Sequence, residues 1–99
     1  RIYHPLRDEA LRRAREMFRS RLRELRILAL DRFCLELREF AEAARERDWL
    51  RARLRAYDLI RIAHDARVVL DSSGPPFDDL VPAAAGLLRL ARAADREAE

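Results

Sequence analysis

Apolar residues recur along the first third of the chain at steps of three and four: Leu11, Ala14, Phe18, Leu22, Leu25 and Leu28. That period matches the helical turn, so these side chains form one stripe of an amphipathic helix. His4-Pro5 ahead of Asp8 and Glu9 places the start near Leu6, because proline is tolerated in a first turn and carboxylates suit the positive end of the helix dipole. Pairs four residues apart, Asp8 with Arg12 and Glu9 with Arg13, support the outer face. Over residues 27–40 the apolar pattern widens: Ile27, Leu28, Ala29, Leu30, Phe33, Cys34 and Leu35 cover more than one side, and Leu37 and Phe40 carry the stripe on. A segment of this kind needs neighbours on two faces, from its own chain or from a second copy.

Between Pro5 and Gly74 there is no glycine or proline. One helix over residues 5–71 would be about 100 Å long, and 99 residues cannot wrap a core around such a rod. It has to fold back. Asp48 is the place, since its carboxylate can cap a following helix, and Trp49 opens a new stripe through Leu50, Leu54, Tyr57, Leu59 or Ile60, Ala63, Ala66 and Leu70. Asp71-Ser72-Ser73-Gly74-Pro75-Pro76 signals a second turn, with a glycine to end one helix and prolines that forbid its continuation. Asp78 or Asp79 then caps a last helix with Pro82 in its first turn and Val81, Ala85, Leu88 and Ala91 or Arg92 on its apolar face. The expected fold is all-α: an antiparallel bundle of three helices at about 6–46, 49–71 and 79–97, or of four if the first kinks or breaks near Ser20, in a single domain that dimerises. The chain starts at Arg1 without a methionine, as a piece of a longer protein would.

Charge changes this picture in one respect. Residues 1–32 carry 10 Arg against 5 acids, residues 33–67 carry 8 against 7, and residues 68–99 carry 3 against 6. The basic and acidic ends attract, which an antiparallel fold or a contact between chains would satisfy, as would an anionic partner for the first half. Lys, Asn, Gln and Thr are absent, so every cation other than the two histidines is Arg, a compositional bias rather than a functional signal. Cys34, alone and flanked by Phe33 and Leu35, reads as a buried thiol in a reducing, cytoplasmic setting. No apolar run approaches the roughly 18 residues of a membrane span.

Motifs for catalysis are missing. The sequence has no Gly-rich phosphate loop, no paired-Cys metal spacing, no HExxH and no recognisable nucleophile turn, and neither His4 nor His64 has the Glu three residues earlier that a di-iron helix pair requires. The expectation is a non-enzymatic protein without cofactor or metal. Arg12, Arg15, Arg19, Arg23 and Arg26 line one side of the first helix and could contact phosphates in a sequence-tolerant way, with no aromatic residue among them to stack on bases.

Ile62-Ala63-His64-Asp65-Ala66-Arg67, on a helix of the expected bundle and with Gly74 downstream, resembles the phosphorylation segment of histidine phosphotransfer domains. That resemblance implies His64 as phosphoacceptor and Arg67 as the basic residue that steadies the phosphoryl group. Val68 stands where the family has a small glycine, and Arg67 where it has a lysine. Residues 43–56, around Arg47-Asp48-Trp49, are similar to the inter-helix turn of a tetratricopeptide repeat, in one copy only. The function expected from the residues themselves is protein association, including self-association, with Leu25, Leu28, Phe33, Leu37, Phe40 and Trp49 in the core or at a dimer seam.

Overall fold

The computed structural model describes residues 5–70, 74–75 and 77–98. It contains three helices and, among these residues, no strand: α1 (Pro5–Arg45), α2 (Trp49–Val68) and α3 (Phe77–Ala98). The expected end of the second helix at Asp71, together with His4, Ser72, Ser73 and Pro76 of the start and turn signals, lies outside the described residues.

α1 is unbroken through Ser20. A serine costs a helix only a few tenths of a kcal/mol, and the Arg, Glu, Leu and Ala around it more than compensate. The helix ends in a Schellman motif: Asp48 N–H donates to Ala43 O at 2.9 Å and Arg47 N–H to Ala44 O at 3.1 Å. Arg47 takes the left-handed position of that motif with φ 57°, a place glycine usually fills. Asp48 then starts the next helix, its Oδ1 accepting from Arg51 N–H at 3.2 Å. A three-residue connection, Glu46, Arg47 and Asp48, thus both closes α1 and caps α2, with Asp48 the cap that the sequence leads one to expect.

The second connection departs from expectation. Gly74 has φ 88°, its N–H donates to Asp78 Oδ2 at 3.0 Å, and Asp78 N–H donates back to Gly74 O at 3.0 Å. Asp78 and Asp79 therefore sit inside the first turn of α3, with Asp78 reaching back to the loop, and neither precedes the helix as its cap. Because α3 starts at Phe77, Pro82 falls past the first turn, within the helix, and removes the intrahelical donor that Asp78 O would have had.

α2 lies at the centre of the packing. α1 and α3 both pack on it, and they barely meet each other. The core holds Phe33, Phe40 and Ala43 from α1, Ala52, Ala56, Leu59 and Ala63 from α2, and Ala84, Leu88 and Ala91 from α3. On α2 these positions are four, three and four residues apart, so one narrow row, alanine except for Leu59, lets its neighbours approach closely. Trp49 borders this core, half-buried.

The shape is long. The Cα trace measures 73 × 19 × 18 Å with a radius of gyration of 19.6 Å, against about 13 Å for a compact domain of this size. The 41 residues of α1 span about 61 Å and the 20 residues of α2 about 30 Å. α2 can cover only half of α1.

Within one chain, residues 27–40 are covered on one face only. Among them Phe33, Glu36 and Phe40 are buried, while Leu28, Leu37, Ile27 and Leu35 are exposed. Cys34 is exposed as well, not buried as expected. The physical reason is that α1 meets one neighbouring helix along this stretch, so a single face is covered.

Candidate association surface

The buried residues of α1 extend as one straight line in both directions. Leu11, Ala14, Phe18, Leu22, Leu25, Ala29, Phe33, Glu36 and Phe40 follow steps of three, four and four, an 11-residue repeat of about 3.67 residues per turn. Such a line scarcely drifts around a helix. Its lower part, Phe33, Glu36, Phe40 and Ala43, is sealed by the rest of the chain. Its upper part is open: Phe18 is 65% exposed and Leu11 46%, against 5% for Phe40 on the same stripe. Leu22 and Leu25 are half-buried. The line runs through Ala29 and leaves Leu28 beside it, 55% exposed.

Arg26 marks the boundary. Its Nε and Nη2 both donate to Leu70 O, at 3.0 and 2.8 Å, where the chain leaves the end of α2. Residues 5–25 project beyond that point as an arm. No other described helix packs along this arm, and every residue from Ala10 to Arg21 is exposed. Met17 and Leu28 widen the apolar stripe on one side.

Arginines flank the stripe. Residues 5–26 carry 8 Arg against 4 acids, a net +4. Arg12 is held by Glu9 at 2.5 Å and Glu16 at 2.7 Å, and Arg13 by Glu9 at 3.1 Å. The pairing expected between Asp8 and Arg12 is replaced by these contacts. The Arg12 guanidinium, and after it that of Arg13, holds the Glu9 carboxyl below its ordinary value of 4.5, and Glu9 in turn raises Arg12. Arg15, Arg19 and Arg23 have no ion-pair partner among the described residues. Arg19, Arg23 and Arg26 line a shallow groove with Glu16 and Leu22. Of the five arginines read as a phosphate-binding row, two are therefore committed within the chain and three face solvent.

Among the described residues Glu36 is the buried charge, 6% exposed on the face turned to α2. Its carboxylate lies 3.5 Å from Arg32 Nε and 3.3 Å from Arg55 Nη1. Sequence pattern alone treats this position as polar surface, and the signal that it is not is its place on the 11-residue line.

His64 is exposed on α2. Arg67 lies 3.8 Å from Asp78, so the guanidinium that the phosphotransfer resemblance assigns to a phosphoryl group faces a carboxylate. No cluster of three or more His, Cys, Asp or Glu that could hold a metal ion occurs among the described residues, and no described helix is long and apolar enough to cross a membrane.

The chain matches no protein-family model, and no curated protein or solved structure is significantly similar to it.

Proposed function

We propose that this chain is a non-enzymatic helical association module that works through the uncovered stripe of α1 and that self-associates. The observation that carries the reading is the contrast along a single line of side chains: Phe40 is sealed against its own chain while Phe18, two 11-residue repeats earlier, stands 65% exposed. An apolar row about 20 Å long, rimmed by charge, is the half-site of a helix-on-helix contact. Such a contact takes its affinity from burying Leu11, Phe18, Leu22 and Leu25, and its orientation from the charges at the rim.

Light scattering on a size-exclusion column over a dilution series tests this. A mass above the 11.6 kDa of one chain that falls on dilution supports the reading, and a strict monomer at high concentration overturns self-association. A second reading, sequence-tolerant binding of nucleic acid, is favoured by one specific observation, the three unpaired guanidiniums of Arg15, Arg19 and Arg23. It requires retardation of single- or double-stranded DNA that weakens steeply with salt and is lost in Arg15→Ala/Arg19→Ala/Arg23→Ala.

A further inference from the structure

We infer that the occupant of the exposed stripe is the same stripe of a second copy, laid antiparallel about a two-fold axis between Ala14 and Phe18. This rests on the association reading above and specifies its geometry.

Orientation follows from where α2 sits. It covers the stripe of α1 from about Arg26 onward, with its end against Arg26. In a parallel pair both α2 helices would lie in the seam and hold the two α1 helices apart. In an antiparallel pair each arm meets only the other arm and stops where the partner's α2 begins, so the arm extends the line of α2 along the same groove.

Register follows from side-chain size. With the axis between positions 14 and 18, Phe18 of each copy faces Ala14 of the other, a large ring over a small residue, and Leu11 lies one residue's rise, about 1.5 Å, from level with Leu22. Leu25 then covers the aliphatic stem of Arg7.

Area and charge set the strength. A contact strip about 10 Å wide and 31 Å long on each copy, corrugated by side chains, removes on the order of 1,000 Å² in total from water, the lower edge of a specific interface. The pair is accordingly concentration-dependent. Arg15 and Arg19 of the two copies approach each other on one rim, whereas the opposite rim brings Met17 to Met17. Repulsion between exposed guanidiniums is screened by water and salt and does not outweigh the apolar burial. It does fix a sign: added salt tightens this dimer, the opposite of its effect on an anionic partner.

Sedimentation equilibrium of the full chain at low and high salt, with Phe18→Asp and Leu35→Asp, tests the inference. Cys34, the one cysteine and an exposed one, carries a spin label for distance measurement. Expected are a wild-type dimer tightened by salt, a dimer constant weakened on the order of 100-fold in Phe18→Asp, little change in Leu35→Asp, and labels about 50 Å apart across the pair. Unchanged urea unfolding of Phe18→Asp, followed by Trp49 fluorescence, confirms that the variant folds. A dimer that survives Phe18→Asp, or Cys34 residues close enough to join in a disulfide, overturns the antiparallel arm pair and leaves self-association standing. A wild type that is monomeric at every concentration overturns both.

Discussion

Phe18 and Phe40 lie on one face of one helix, and truncating each to alanine separates what the stripe does inside the chain from what it does outside it. Phe40 is 5% exposed within the core, so Phe40→Ala loses its transfer free energy and leaves a cavity, about 3–5 kcal/mol. Set against a total of about 5–15 kcal/mol for a small domain, that is a large share. Phe18 is 65% exposed and gives up little contact with its own chain. Alanine is also the better helix former by up to about 0.7 kcal/mol, so in the dilute monomer Phe18→Ala is neutral or slightly stabilising. Urea titration at low micromolar concentration, followed by the fluorescence of Trp49, reads this cleanly, because Trp49 borders the core and does not report fraying of the arm. The midpoint should drop sharply for Phe40→Ala and hold for Phe18→Ala. Raising the concentration should stabilise wild type by mass action and leave Phe18→Ala unmoved. Equal losses for the two variants in dilute solution would refute the reasoning, since they would mean that the arm is packed within the monomer.

Other positions give independent checks. Replacing Arg47, left-handed at φ 57°, by glycine should stabilise by about 1 kcal/mol in the same titration, and a loss would show that the Schellman turn is not strained. Asp48→Ala removes the cap on α2 and should cost about 1 kcal/mol, visible as lowered helicity and an earlier thermal midpoint. Glu36→Leu replaces a buried carboxylate by an apolar side chain on a face that already packs against α2; stability should hold or rise by about 1 kcal/mol, whereas a fall beyond about 2 kcal/mol would assign the Arg32–Glu36–Arg55 cluster a net stabilising role. The lowered pKa of Glu9 means that its pairing with Arg12 and Arg13 supports the start of α1 fully above pH 4.5 and fades as pH falls through the depressed value. Residue-resolved NMR of the arm should show the first turns loosening in acid before α2 and α3 respond.

The helices themselves were legible because their signals are local. Asp48 ahead of Trp49, the glycine and prolines after residue 73, and a stripe at helical spacing need no tertiary knowledge; of the residues read as core or dimer seam, Phe33 and Phe40 lie in the core. What was not legible depends on which neighbour a face meets. Ala43, Ala52, Ala56, Ala63, Ala84 and Ala91 form much of the core, yet alanine is so common along this chain that its spacing does not distinguish a buried row from helix filler. Leu28, Leu37 and Cys34 share their apolar character with Phe33, but only angular position decides burial, and the three- and four-residue rule tolerates Leu28 as readily as Ala29. The open stripe was visible as an amphipathic pattern. That it has no partner in its own chain follows only from the unequal lengths of α1 and α2.

That inequality has a mechanical meaning. An unbroken helix without glycine or proline over residues 6–45 has little freedom to bend, so the Arg26 contact at the end of α2 fixes not only where the arm leaves the body but the direction in which it points. α1 is a ruler as well as a surface. Removing 11 residues from it would shorten the reach by about 16 Å and keep every apolar side chain on its meridian, whereas removing five would turn the outer half about 140° away from the inner. The phase of this helix, more than the identity of any one residue in it, sets how far apart and at what angle two bound bodies are held.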